Sequence, residues 1–151
     1  MNKYFKENMK FYKLYKLVME EHKILPDGRE VWLDENGEFH REDGPAVIWP
    51  KGEMSYDSHT GEELPDPLEE WFFHGEPHRI GGPAKIWNNG IKEWFLNGEC
   101  HREDGPAFEN SDGYKQWWLH DKQYSEQDYK RELIKQHIIK DPTVSDIMDA
   151  I

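Results

Sequence analysis

The sequence predicts a mainly β protein with flanking helices (α+β), an antiparallel meander of roughly seven to nine short strands. Three observations carry that expectation. The heptapeptide HREDGPA stands at residues 40–46 and again at 101–107, with a relative, HRIGGPA, at 78–84. Gly-x-x-x-Trp recurs at Gly28–Trp32, Gly90–Trp94 and Gly113–Trp117, with altered forms at Gly52–Tyr56 and Pro67–Trp71. Turn dipeptides fall between these anchors: Asn-Gly at 36–37, 89–90 and 97–98, Asp-Gly at 27–28 and 112–113, and His-Gly at 74–75.

The aromatic anchors at 32, 56, 71, 94 and 117 are 24, 15, 23 and 23 residues apart, which sets a period of 23. The spacing of 15 marks a shortened unit, SYDSHTGEELPD (55–66), that has lost its HREDGPA segment. Each full unit reads as two short strands and two turns. Asn-Gly and Asp-Gly supply the positive φ of type I′ hairpins, whose twist matches that of the strands. Gly-Pro at 44–45, 82–83 and 105–106 suits the start of a strand, where a missing N–H does no harm.

Helices are expected at both ends of one domain spanning 1–151. In 1–23, Tyr4, Phe11, Tyr15 and Val18 fall near one helical stripe. The repeats occupy 24–124. Within 125–151, Ser125 and Asp128 form a capping box for a helix over about 126–140, with Tyr129, Leu133, Ile134 and Ile138 on its apolar side. Pro142 ends it, and TVSDIMDAI can add a short helix. Alternation places Trp94 and Leu96 on one sheet face and Phe95 on the other, so both faces are apolar. The helices are the expected cover, and any strip left over is a binding surface or a homodimer seam.

Composition narrows the function classes. The 21 aromatics provide a core although apolar content is only 36%. One cysteine, Cys100, excludes an internal disulfide and suits a reducing compartment. No apolar run reaches membrane-spanning length, and the N-terminus lacks the pattern of a signal peptide, so a cytoplasmic protein is expected. The net charge is −12, and residues 52–78 hold eight acids and no Lys or Arg. Such a field repels nucleic acid and anionic lipid and attracts basic surfaces.

The run WFLNGECHREDGPA (94–107) has the form Trp-x-x-Asn-Gly-x-x-His-Arg-x-Asp-Gly-Pro-Ala. It resembles the MORN-like repeats common in proteins of tailed phages and giant viruses, over about residues 27–124. The His-Gly-x-Gly of MORN repeats is replaced by the longer His-Arg-Glu-Asp-Gly. The resemblance implies a meandering sheet with a scaffolding or partner-binding role. It also implies an accessory protein of a phage or mobile element, working in the host cytoplasm. Some MORN arrays are linked to membrane lipids, a role the acidity of this chain opposes.

HREDGPA invites a catalytic or metal-site reading, but the spacing argues for a building block. Equivalent residues in successive units lie two strands apart, roughly 10 Å, so His40, His78 and His101 cannot share one metal. A local pair such as His74 and His78 could. A catalytic set is built once, whereas this one recurs in every full unit. Structural roles are therefore expected for His40, Asp43, Gly44, Pro45, His78, Pro83, His101, Asp104, Gly105 and Pro106, and for the anchors Trp32, Trp71, Trp94 and Trp117. Arg41 and Arg102 are expected to pair with Asp43 and Asp104, and each His to pack on a neighbouring Trp. The HRIGGPA turn, lacking the acid, should be held less firmly. Cys100 and His101 point to opposite strand faces and are no nucleophile–base pair. No catalytic motif, metal set or cofactor-binding motif is present, and no enzyme activity is expected.

The leading functional expectation is a non-enzymatic module that binds a protein with a basic surface and modulates it, as a nucleic-acid mimic would act on a host defence or nucleic-acid-processing factor. The candidate residues are Glu53, Tyr56, Asp57, Glu62, Glu63, Asp66, Glu69 and Glu70, with exposed Trp49, Trp71 and Trp87 beside them. A second option is a small anionic ligand such as a nucleotide, held by Arg41, Arg79 and Arg102 with Trp49 and Trp87. A third is a homo-oligomeric scaffold.

Overall fold

The computed structural model describes residues 20–50, 55–56, 63–64 and 67–140. The expected N-terminal helix, the final short helix and residues Glu53, Asp57, Glu62 and Asp66 lie outside the described residues.

Among the described residues, fifteen short strands precede one helix. They are β1 (Glu21–Ile24), β2 (Glu30–Leu33), β3 (Val47–Ile48), β4 (Ser55–Tyr56), β5 (Glu63–Leu64), β6 (Pro67–Glu70), β7 (Phe72–Phe73) and β8 (Glu76–Pro77). Then come β9 (Lys85–Trp87), β10 (Lys92–Glu93), β11 (Phe95–Leu96), β12 (Glu99–Cys100), β13 (Phe108–Glu109), β14 (Lys115–Leu119) and β15 (Lys122–Tyr124). Helix α1 (Glu126–Lys140) follows. Nine of these strands make one antiparallel sheet in the order β1-β2-β3-β6-β9-β10-β13-β14-β15. The other six form the small hairpins β4–β5, β7–β8 and β11–β12. The main-sheet strands therefore run in chain order, and the small hairpins are excursions from it. The fold is mainly antiparallel β, as the turn spacing predicts.

A recurrent bend makes each excursion that carries a His-Arg loop. The Trp N–H donates to an alanine carbonyl across the sheet: Trp32 to Ala46 (2.9 Å), Trp71 to Ala84 (2.7 Å), Trp94 to Ala107 (2.8 Å). The Trp carbonyl in turn accepts from His40, His78 and His101. The chain thus leaves the sheet at Trp and returns at Ala. All three alanines are fully buried, and with Val31 and Val47, cross-strand partners, they form much of the core.

The turns are of two kinds, where the sequence suggests one. His74–Gly75, Asn97–Gly98 and His120–Asp121 have positive φ at both residues, the requirement of a type I′ turn. At Gly28, Gly37, Gly90 and Gly113 only the glycine is left-handed. There the N–H of Trp87 bonds to Ile91 O and that of Gly90 to Trp87 O, and Asn110 and Gly113 repeat the pattern, as in a type I turn closed by a glycine bulge. At two of these turns side-chain chemistry supports the form: Asn110 Oδ1 accepts the N–H groups of Asp112 (3.1 Å) and Tyr114 (2.8 Å), and Asp34 Oδ1 accepts those of Asn36 (2.8 Å) and Glu38 (3.1 Å). A polar opening residue supports the bulged form at Gly37 and Gly113, while Leu25 and Trp87 open the turns at Gly28 and Gly90.

Helix α1 starts as expected. Asp128 N–H donates to Ser125 Oγ at 3.2 Å, and Ser125 Oγ donates to Asp128 Oδ2 at 2.8 Å. The helix packs mainly on β14 and β15 and so closes one end of the sheet. Tyr129 is its buried anchor, whereas Ile134, expected on the same apolar side, is 40% exposed. Over the rest of the sheet, arginine guanidinium groups cover the indoles of Trp32, Trp71 and Trp94.

Candidate functional site: the His-Arg loops and the unit that breaks their pattern

Each His-Arg loop repeats one set of contacts. The arginine lies over the tryptophan of its own unit: Cζ is 4.0 Å from the Trp32 ring centroid for Arg41, 3.8 Å from Trp71 for Arg79, and 4.0 Å from Trp94 for Arg102. Its Nη1 donates to the carbonyl of the loop proline, Pro45 (3.3 Å), Pro83 (3.0 Å) or Pro106 (3.1 Å). Passing over the loop, the guanidinium leaves no room for a side chain beneath it. A Cβ at Gly44, Gly82 or Gly105 would stand 2.6, 3.0 or 2.9 Å from the arginine Cζ. These glycines are there for clearance, not for a left-handed backbone.

The expected acid pairs form. Arg41 Nε donates to Asp43 at 3.2 Å and Arg102 Nε to Asp104 at 2.6 Å. The Arg102 guanidinium holds the Asp104 carboxyl below the usual carboxylate range. In the middle loop Ile80 and Gly81 replace the two acids, yet Arg79 keeps its indole and its proline carbonyl. The loop conformation therefore rests on Trp and Pro more than on Asp.

The histidines do something the sequence does not reveal. Their expected place on tryptophan is taken by the arginines. Each imidazole Nδ1 accepts the backbone N–H at the type I′ turn of the following unit: His74 to His40 (3.1 Å), Asn97 to His78 (3.0 Å), His120 to His101 (3.3 Å). Adjacent bonds reinforce the join, with Gly75, Gly98 and Asp121 donating to the carbonyls of Phe39, Pro77 and Cys100. The His-Arg motif ties unit to unit. At the end of the array Tyr124 stands where the next His would be. There Tyr129 of α1 takes over, its Oη accepting from Gly105 N–H (3.2 Å) and donating to Arg102 O (2.8 Å).

One side-chain cluster has metal-ligand composition. The donor atoms of Asp34, His40 and His74 lie within 4.8 Å of one another. The pairing is His40 with His74, not the His74–His78 pair suggested by sequence proximity. Hydrogen bonding decides its chemistry. His40 Nδ1 is occupied by the His74 N–H, so a neutral His40 carries its proton on Nε2, and neither nitrogen presents a free lone pair. His74 Nδ1 sits 2.7 Å from Asp34 Oδ2, and that hydrogen bond holds the Asp34 carboxyl below its ordinary value. The trio is a hydrogen-bonded joint, buried at Asp34 and His40 and open at His74. His101, His120 and Glu99 build a similar one, with 4.2 Å between the rings and 2.6 Å between His120 Nδ1 and Glu99.

Cys100 is not an activated thiol. Burial, with the charges of Glu93 and Asp121, pushes it up to about 12.

Of the expected acidic site, only Tyr56, Glu63, Glu69 and Glu70 fall among the described residues. Tyr56 pairs with Glu63 across the β4–β5 hairpin, and Glu69 and Glu70 lie on β6 within the main sheet. Glu70 is used internally, accepting from Trp49 Nε1 at 3.0 Å and lying 3.6 Å from Lys85 Nζ. Trp49, Trp71 and Trp87 are half-buried rather than exposed, and Arg29 lies 4.6 Å over Trp49. The anionic-ligand reading fares worse: Arg41, Arg79 and Arg102 lie in three separate loops, each spent on its own indole and proline. The fourth anchor, Trp117, sits half-buried in β14.

What sequence reasoning missed is the surface around the middle loop. Ile80 is 84% exposed and Phe73 41%. A groove of about 260 Å³ runs between the first and middle loops, and one of about 490 Å³ between the middle and third. The departure of HRIGGPA from HREDGPA is the signal that could have found it.

No protein-family model, curated protein or solved structure matches this chain.

Proposed function

We propose that the chain is a non-enzymatic interaction module that binds a partner protein through a basic surface on that partner. One observation carries this reading. The groups in the repeated motif that could do chemistry are consumed three times over by the same internal contacts: imidazole on turn amide, guanidinium on indole and proline carbonyl. What differs between units is the surface, and differences between units specify a partner. The charge of −12 selects a basic one and disfavours nucleic acid or anionic lipid. The MORN-like identity of the array, its origin in a phage or mobile element and a nucleic-acid-mimic mode of action belong to the same proposal. No helix among the described residues is long and apolar enough to cross a membrane.

The test is capture of partners from a lysate by the full chain at low and high salt, followed by direct titration. A protein with a basic surface, lost as salt rises, is the expected result. A salt-insensitive complex, or a co-purifying nucleotide whose affinity Arg41→Ala abolishes, would replace this reading with another.

A further inference from the structure

We propose that the outer edge of β1 pairs, antiparallel and about a two-fold axis at His22, with the same strand of a second copy of this chain. This goes beyond the interaction reading and does not rest on it.

β1 ends the nine-stranded sheet, with β2 on one side and no strand among the described residues on the other. The ladder fixes which backbone groups face outward. Leu25 N–H donates to Arg29 O, and bonding residues alternate along an antiparallel pair, so Lys23 and Glu21 are the next to bond to β2. His22 and Ile24 therefore turn their N–H and C=O away from β2. The neighbouring strand agrees: Trp32, opposite His22, spends its N–H on Ala46 and not on β1. All four residues of β1 are exposed, Ile24 to 70%. At the opposite end of the sheet α1 packs on β14 and β15, so the two ends are treated differently.

The side chains choose the occupant. Like charges along an edge are a common guard against self-pairing. β1 carries an acid and a base instead: Glu21 and Lys23 share one face of the strand, with Lys23 Nζ 2.7 Å from Glu21 Oε2.

An antiparallel pairing through the outward groups can be centred on His22, Lys23 or Ile24. Centring on Lys23 sets lysine against lysine. Centring on Ile24 draws Pro26, which has no N–H, into the ladder. Centring on His22 sets Glu21 against Lys23 of the second copy, and Lys23 against its Glu21. These are non-hydrogen-bonded positions, where facing side chains come closest and opposite charges attract. His22 is held within its own copy, its ring stacked on Trp32 at 4.4 Å and its Nε2 3.2 Å from Glu30. One register thus continues the ladder and satisfies the charges together.

The experiment is sedimentation of the full chain over a dilution series, beside Lys23→Glu, the swap Glu21→Lys/Lys23→Glu, and Ile24→Pro. An unchanged urea midpoint at high dilution verifies the fold of each variant. The wild type should form a concentration-dependent dimer. Lys23→Glu sets acid against acid and should weaken it at least about tenfold, and the swap should restore it. Ile24→Pro removes an outward N–H that β2 does not use, and should also weaken the dimer. Hydrogen exchange identifies the occupant: the amides of His22 and Ile24 should be protected in the dimer and exchange freely on dilution. A wild type that is monomeric throughout, or a dimer indifferent to Lys23→Glu and Ile24→Pro, would overturn the pairing. Protection of those amides that survives dilution would mean that the chain's own residues hold the edge, and would overturn it equally. A monomeric wild type leaves the interaction reading standing, which fails instead if no basic partner is captured.

Discussion

The backbone N–H of His74 donates to His40 Nδ1 at 3.1 Å, and the two imidazole rings lie 4.2 Å apart. That bond needs a neutral His40. Burial, with the adjacent His74, holds the imidazole below its ordinary value, against the opposing charges of Glu20, Asp34 and Glu42. A base whose folded value is depressed binds fewer protons folded than unfolded, so its contribution is intact above about pH 6.5 and is lost as pH falls through the folded value. The urea midpoint should drop between about pH 7.5 and 5.5, and His40→Gln should flatten part of that slope. An identical slope in the variant would contradict the neutral-His joint. Asp34, whose carboxyl is lowered chiefly by its bond to His74, acts in a separate window at still lower pH.

The guanidinium of Arg102 is placed by Trp94 and Pro106 more than by Asp104. Arg102→Lys keeps the charge but loses the planar stack and the fork, at a cost of about 1–2 kcal/mol. Asp104, whose side chain is 84% exposed, should cost no more than about 1 kcal/mol as Asn. Chemical denaturation of the two variants checks the order. The Asp variant proving the more damaging would show that the ion pair, not the indole, fixes the loop.

Gly105→Ala should act through Arg102. The new Cβ would stand 2.9 Å from Arg102 Cζ and push the guanidinium off Trp94. Because both substitutions remove one interaction, their costs should overlap, and a double-mutant cycle with Arg102→Ala should show coupling of about 1 kcal/mol. Simple additivity would mean that the glycine serves the backbone instead.

Cys100, pushed up to about 12 by burial first and by Glu93 and Asp121 second, should resist alkylation. At pH 8 iodoacetamide should modify it at least about tenfold more slowly than an exposed peptide cysteine, and denaturant should remove the difference. Rapid labelling of the folded chain would place the thiol in a different environment.

Much of the architecture is legible in the sequence because it is written there several times. The turn dipeptides and the Ser125–Asp128 cap each have a local cause, and positive-φ turns and a helix start appear where those causes put them. The Arg–Asp pairs are legible for the same reason, being two residues apart. What is not legible is whatever crosses between units. His40 and the turn at His74 are 34 residues apart, and nothing in HREDGPA says that its imidazole is meant for a backbone amide in the next unit. Asn97–Gly98 takes the type I′ form its dipeptide suggests, whereas the Asn-Gly and Asp-Gly pairs at 27–28, 36–37, 89–90 and 112–113 take the bulged form. At two of them a polar residue at the turn's opening, Asp34 or Asn110, bonds the turn amides. Ile80 reads in the sequence as a loss of motif, although it is the most exposed of the large apolar side chains among the described residues.

Native-state hydrogen exchange at the amides of His74, Asn97 and His120 tests most directly whether the repeated histidines join the units. These amides sit at hairpin tips, where exchange is ordinarily fast, yet each is bonded to an imidazole of the preceding unit. All three should be protected at least about tenfold over free-chain rates, and His78→Ala should release Asn97. Free exchange of these amides in the wild type, or protection of Asn97 that survives His78→Ala, would contradict it.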